Sequence, residues 1–527
     1  MEHIPIISKT VRVPVDISIH PYLFDHRFEG KAVFPAVESM QVLAKSIKGL
    51  APDMDVACMT HAQFEKFLYI QPGTDRVAAF SDMVIHDNGD ITARLLTKQE
   101  HGKSSITRMK EHATLHFART TQDLPELPLD LVAALEGTCT EIPSERIYRD
   151  LVPFGAAYHN IHHSLLISSE GTIARTRAPF ISGDAMGPGP LGSPFPLDAA
   201  FHAACAWGQR YARIVAFPVE IERRVIYKRT EPGETYISRI IPVKMSPDLL
   251  VLDIWIYDGS GNLFEGACGV RMRDVSAGRM KPPQWIIYHG EQDPREQLQK
   301  YCRAVSLIEM KTLLPFAEKT LSEREQKRYR KMADKRRRSY LAARLACKHL
   351  SRTLSGNDMH TAAHEIVTVS ADLMRPCCTQ TDDASAVSCS ASHDDRFAVA
   401  VASDSAVGVD VEKISTRLLK SQRLYMSEKE QALVQESSLG AMEAAVRIWS
   451  IKEAVAKALG ITLAHSWNRV EVKAIDRHES RFHIGEKDFC AAVHGVVGQH
   501  VFTLVCVTKP ECPTRKSGLT LKGGPSL

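Results

Sequence analysis

Residues 406–414 read AVGVDVEKI, and residues 447–460 read RIWSIKEAVAKALG. The first is a strand pattern, preceded by a second apolar strand, FAVAVASDS, at 397–405. Side chains at i and i+2 of a strand leave on one face, so Asp410 and Glu412 project together. The second stretch has helical spacing. Ile448, Ile451, Val455 and Leu459 form its apolar side, and Glu453 and Lys457 share another. Two convergent carboxylates suit a hard divalent cation such as Mg2+, which takes one or two protein carboxylates plus phosphate oxygens and water. A third carboxylate and an ammonium beside them suit transfer of a phosphate-bearing group from a pyrophosphate. That reaction needs charge neutralisation and alignment more than covalent help. A surface D-x-E on an edge strand with an i,i+4 salt bridge fits the same residues.

Four strings decide between these alternatives: GVDVE (408–412), WSIKEAVAK (449–457), SASHDDRFAVAVAS (390–403) and YLAARLACKHL (340–350). Together they resemble a 4′-phosphopantetheinyl transferase of the two-lobed surfactin-synthetase-activating type, whose motifs are G-[IV]-D-[IV]-E and W-[ST]-x-K-E-[AS]-x-x-K. The resemblance implies a pseudo-twofold pair of α/β lobes over residues 300–508, with the ligand between them. It implies Asp410, Glu412 and Glu453 as Mg2+ ligands and Lys457 on the pyrophosphate. Arg344, Ser392, His393 and Lys452 would contact the phosphates of coenzyme A. Either Glu453 or a metal-bound water would be the general base. Arg375-Pro376 is a weaker match to the family's [KR]-P element.

Working toward the N-terminus, HPYLFDHRFEGKAVFP (20–35) holds the spacing H-x3-G-x4-P in His26, Gly30 and Pro35. Pro35 opens a helix with Val37, Met40, Ala44 and Ile47 on its apolar face. PFPLDAAFHAACAW (194–207) places Asp198 and His202 on one face of a second helix, with Leu197, Phe201, Ala204 and Trp207 along an apolar side. Eliminating water from a 3-hydroxyacyl thioester requires removal of an α-proton and protonation of the leaving hydroxyl. A histidine suits the first task, and a carboxyl kept protonated by apolar surroundings suits the second. Structural hydrogen bonds would use the same residues.

HRFEGKAVFP and LDAAFH resemble the HxxxGxxxxP and DxxxQ/H signatures of polyketide synthase dehydratase domains, over roughly residues 1–275. The resemblance implies a double hot-dog fold, in which each half wraps an antiparallel sheet around a long helix and the site lies between the halves. His26 would be the base and Asp198 the acid, with His202 orienting Asp198. PFGAAYHN (153–160) has Phe154 where the family often has Tyr and Ala156 where it has Pro, and Ala36 replaces the usual Gly after Pro35. A non-catalytic carrier-docking module, or one of the product-template type, is the alternative for this half. HNIHH (159–163) has no suitably spaced carboxylate or cysteine and reads as a strand or loop rather than a metal site.

The chain has 527 residues, 44% hydrophobic and 24% charged, with net charge +4. These values exclude wholesale disorder and a membrane bundle and fit several globular domains. The fold class expected is α+β: a double hot-dog domain at 1–275, a linker at 276–299, a transferase domain at 300–508 and a disordered tail at 509–527. Turn signals at Asn88-Gly89 and Gly259–Asn262 mark hairpins. Thr379–Ser392 reads as a loop, and no short-period repeat is visible. Twelve cysteines without a CxxC pair, and no signal peptide, point to reduced thiols and a cytoplasmic protein.

A helical segment opens with the capping box Ser322…Glu325 and runs without Gly or Pro to Leu354. Its stretch 324–338 holds nine Lys or Arg against two acids. A solvated helix face, a surface that steers an acidic carrier, and a nucleic-acid patch are the readings; no nucleic acid and no membrane are expected as partners. The partners implied are coenzyme A and an acyl carrier protein or carrier domain, met in trans.

Overall fold

The computed structural model describes residues 7–100, 107–120, 123–125, 127–180, 189–288, 290–370, 376–378, 387–485 and 490–507. The tail expected at 509–527 and Arg375 lie outside them. The chain forms two compact units that are not contiguous in sequence. One holds Met1–Gln292, Ile308–Gln326 and Met359–Glu365; the other holds Asp293–Leu307, Lys327–Asp358 and Ile366–Leu527.

The first unit is built on one twelve-stranded sheet whose order exposes an internal duplication. In its first half, strand Ile7–Ser18 leads to the core helix Ala36–Leu50, then strand Cys58–Gln63. The meander Arg76–His86, Ile91–Glu100, Thr107–Phe117 then inserts between those two strands. In the second half, strand Gly171–Arg177 leads to the core helix Phe195–Tyr211, then strand Phe217–Ile226. The meander Thr235–Met245, Leu249–Tyr257, Leu263–Arg273 inserts in the same place. Cys58–Gln63 and Phe217–Ile226 pair antiparallel where the halves meet. Strands Ile161–Ser168 and Thr140–Pro143 extend the outer edge of the second half. Two copies of strand–helix–strand–meander, each sheet wrapped on its helix, are the double hot-dog arrangement. The repeat lies in the topology and not in short-period sequence.

Both turn signals fall on hairpins of these meanders, with Gly89 and Gly261 at positive φ. The first core helix buries Val37, Met40, Ala44 and Ile47, as its spacing predicts. The second differs from a one-sided reading: Phe195 through Gln209 are all buried, including Asp198 and His202. It packs against the sheet, the first core helix and a short helix, Gln284–Tyr288. Residues 276–299, read as a linker, carry that helix and another, Arg295–Leu298, with Ile286 and Leu298 fully buried.

The second unit has two α/β lobes. A three-stranded sheet, in the order Ala304–Glu309, Phe397–Ser403, Ser388–His393, carries helix Asp334–Leu354. A five-stranded sheet runs Ala406–Lys413, His500–Val507, Cys490–Val497, Glu479–Ile484, Val470–Ile475 and carries helix Ala441–Leu459. In each lobe the last strand lies beside the first. The Ser390 hydroxyl accepts from Val409 N–H at 3.1 Å and that of Ser388 from Val407 N–H at 3.3 Å, so side chains join the two sheets. Ser388–His393 is therefore a strand, where a loop was expected through Ser392.

The capping box forms, with Ser322 N–H donating to Glu325 Oε2 at 2.9 Å. The helix it opens ends at Arg330, and a new one begins at Asp334. An unbroken helix would stack Lys327, Lys331 and Lys335 at four-residue spacing, whereas the break sets Asp334 in a first helical turn, where an acid is favoured.

Helix Ala441–Leu459 lies on strand Ala406–Lys413 at Gly408, where an added Cβ would stand 1.8 Å from the Ala454 carbonyl oxygen. The obstacle is helix backbone, which no rotamer change relieves. Gly408→Ala is expected to destabilise the second unit by about 3 kcal/mol. Hydrogen exchange should rise across 441–459 and leave the twelve-stranded sheet unchanged.

Candidate functional site

Asp410 is 1% exposed at the centre of the second unit. Its Oδ1 accepts from the Ser392 hydroxyl at 2.9 Å and from Lys457 Nζ at 2.8 Å, while its buried Oδ2 has no hydrogen-bond partner. Glu412, on the same face of the strand, accepts from Trp449 Nε1 at 3.1 Å and pairs with Arg417 at 3.3 Å. Glu453 Oε2 lies 3.6 Å from Lys457 Nζ. The lysine also donates to the Val409 carbonyl at 3.0 Å and the Ser392 hydroxyl at 2.9 Å.

The ammonium thus sits among the three carboxylates that the sequence places together. Burial and the Asp410 charge push Glu412 up to about 7 and Glu453 up to about 7. The Lys457 ammonium rises despite burial, held by Asp410 and Glu453. The carboxylate oxygens do not meet at one point. Among the described residues, the trio with ligand atoms mutually within 4.8 Å is Asp394, Asp395 and His500. There Asp394 pairs with His500 and Asp395 with Lys413. An orphaned buried oxygen on Asp410, and two neighbours kept partly protonated by burial and by its charge, are what a hard cation would relieve, so the donor set fits Mg2+.

Of the residues expected at coenzyme A, Arg344, Ser392 and His393 gather on this side. Ser392 touches Asp410 directly. Burial lowers the His393 pKa, and the Lys457 and Arg344 charges lower it further. Arg344 donates to the Thr368 carbonyl at 2.6 Å and keeps a buried Nε without a partner. Lys452 is a correction. It is 1% exposed and turned away from the cluster, donating to Glu430 at 2.8 Å and to the Tyr425 carbonyl at 2.6 Å. Glu430 closes a capping box with Ser427, so Lys452 fastens one helix to the next.

In the first unit, Glu29 and Gly30 both take positive φ in the two-residue turn between Arg27–Phe28 and Lys31–Ala32. The turn returns the chain so that His26 faces Val33, and Pro35 becomes the N-cap of the first core helix. His26 Nδ1 lies 2.9 Å from the Val33 carbonyl. A carbonyl only accepts, so Nδ1 carries the proton and Nε2 keeps its lone pair. Burial lowers the His26 pKa, the Asp198 charge opposes this, and His202 adds to it.

Asp198 Oδ2 is 3.1 Å from His202 Nε2, and Tyr148 Oη stands 3.4 Å from His202 Nδ1. His26, Asp198 and His202 line one cavity of about 760 Å3 counting its open mouth. Phe154 sits between the histidines, 4.4 Å from the His26 ring and 5.0 Å from that of His202. Its neighbour Gly155 leaves room for the Asp25 side chain, since a Cβ there would stand 2.2 Å from the Asp25 carboxyl carbon. His162 and His163 pack on each other in strand Ile161–Ser168, outside this cavity wall.

Sequence reasoning missed Trp449, Arg417 and Tyr148, which touch the site residues. It also missed the seam serines, although the alternation Ser388, Ser390, Ser392 was a signal for them. A carboxyl whose folded pKa is raised gives stability that is full below its unfolded value, 4.5, and lost as pH rises through about 7. Without divalent cations, the unfolding midpoint of the second unit should therefore fall over that window. Glu412→Gln should flatten the fall, measured by denaturation at a series of pH values.

A search among curated proteins found no match. Solved structures resembling the chain include a trans-AT polyketide synthase dehydratase domain from Brevibacillus brevis, at 15% identity and TM-score 0.42, covering 50% of this chain and 94% of that one. The dehydratase domain of a mycocerosic acid synthase-like polyketide synthase follows at 17% and 0.41, covering 50% and 92%. The dehydratase domain from the CurF module of curacin polyketide synthase gives 16% and 0.41, covering 51% and 94%. At these scores the likeness adds nothing to the duplicated sheet order, which carries the fold by itself. Residues 406–505 match the family model of the 4′-phosphopantetheinyl transferase superfamily. The C-terminal part of the chain thus carries that superfamily's sequence pattern, over the stretch that supplies Asp410, Glu412, Glu453 and Lys457.

Proposed function

We propose that the second unit transfers 4′-phosphopantetheine from coenzyme A to a serine of an acyl carrier protein, and that the first unit dehydrates 3-hydroxyacyl thioesters on that arm. The observation that carries the first activity is the Asp410–Glu412–Glu453 group around Lys457, inside the family-matching stretch. Asp410, Glu412 and Glu453 would hold Mg2+, which when bound would neutralise the diphosphate and align it for attack. Lys457 meets the pyrophosphate, with Arg344 and His393 on the remaining phosphates and Ser392 fixing Asp410. Glu453, beside Lys457, would take the proton of the carrier serine. The phosphorus–oxygen bond to the leaving group breaks as the serine–phosphorus bond forms, releasing 3′,5′-adenosine bisphosphate. The cytoplasm suits such a partner, and no helix among the described residues is long and apolar enough to cross a membrane.

In the first unit His26 Nε2 removes the α-proton and Asp198 protonates the departing 3-hydroxyl, giving water and a 2,3-unsaturated thioester. His202 orients Asp198. The first core helix begins at the cavity with no side-chain cap, so its first N–H groups can receive the thioester oxygen. A second reading keeps this pocket for docking or for directing cyclisation. Phe154, without a hydroxyl between the two histidines, is the observation in its favour.

Incubation with coenzyme A, Mg2+ and an apo carrier, read by mass spectrometry, should add one phosphopantetheine arm. Asp410→Ala and Glu453→Ala should abolish the addition in folded protein. With a 3-hydroxyacyl pantetheine thioester, His26→Ala should slow water loss by about 10²–10⁴-fold. Unchanged loss would leave the docking reading standing.

A further inference from the structure

The cavity around His26 has a mouth and an inner end. Exposed Lys66 marks the mouth, and fully buried Ala216 and Met272, with Phe201 and Cys205, close the inner end. Apart from Lys66 at the mouth, the polar side chains of the wall away from the acid–base group already hydrogen-bond within the protein. His112 donates from Nδ1 to the Lys66 carbonyl at 3.0 Å, and its Nε2 meets the Thr97 hydroxyl at 2.8 Å. Ser39 Oγ donates to the Pro35 carbonyl at 3.2 Å, and Cys205 Sγ accepts from Gln209 at 3.5 Å. The wall's buried polar side-chain atoms without a hydrogen-bond partner are Asp198 Oδ2 and His202 Nε2, and they face each other. Pro218, also in the wall, has no N–H to offer.

Inward of Lys66, a polar group on the acyl chain beyond the reacting carbons would lose its water and meet no side-chain N–H or O–H left free to donate to it, whereas a methylene would lose nothing. We propose that the pocket selects chains that are hydrocarbon from C4 outward and rejects chains bearing oxo or hydroxyl groups there. This rests on the dehydratase reading of the His26–Asp198 pair and narrows its substrate class.

Binding to the full chain, measured by calorimetry, tests it without catalysis. Octanoyl pantetheine should bind at least about tenfold tighter than 5-oxooctanoyl pantetheine. Met272→Gln, which sets an amide at the inner end, should narrow that gap. Equal or tighter binding of the oxo chain, or no binding of either, overturns the inference. If Met272→Gln does not fold, the wild-type comparison decides alone. Turnover of the two corresponding 3-hydroxy thioesters separates the readings: preferred binding of the hydrocarbon chain with no water loss from either keeps the chain preference and removes the dehydratase assignment.

Discussion

Helix Ala441–Leu459 reaches strand Ala406–Lys413 only because Gly408 has no side chain. That contact, at Ala454 and Ala458, sets the height of Glu453 and Lys457 above Asp410, since each is the chain neighbour of a touching alanine. A single added carbon would lift the helix, and the ammonium would lose Asp410, Ser392 and the Val409 carbonyl together. The glycine of GVDVE is thus as much part of the cluster as its two acids. The balance of charge follows from it, since burial beneath this helix, and then the Asp410 charge, hold Glu412 and Glu453 up.

The first unit reaches its chemistry by another route. Two copies of one folding pattern meet at a central strand pair, and each supplies half of an acid–base couple. His26 comes from a tight turn ahead of the first core helix, and Asp198 from the first turn of the second. The couple needs no long loop, because the helix starts already face the shared cavity. Its inner surface is apolar for the same reason that the core is: it is the space between two helices and a sheet.

Much of this was legible in the chain itself. The strand alternation at Asp410 and Glu412, the four-residue spacing of Glu453 and Lys457, and the H-x3-G-x4-P turn each encode local geometry, and the local geometry held. Tertiary context was not legible. Lys452 and Lys457 stand in the same motif, and only packing against Glu430 decides that the first is internal and the second faces Asp410. The all-round burial of Phe195–Gln209 was hidden because alanines read as neutral spacers, although they let a sheet and helices close in from every side. The stretch 276–299 looked like a linker from its prolines, yet Ile286 and Leu298 anchor it. The basic helix breaks between Arg330 and Asp334 where composition alone allowed continuity.

The seam between the two lobes is a row of hydroxyls rather than a ladder of peptide groups. Ser388, Ser390 and Ser392 each hold one tooth of the neighbouring strand, and each bond is worth on the order of 1 kcal/mol. Such a zip can part from its outer end while its last tooth, at Asp410, stays fastened. The two sheets can separate along it without either surrendering a backbone bond.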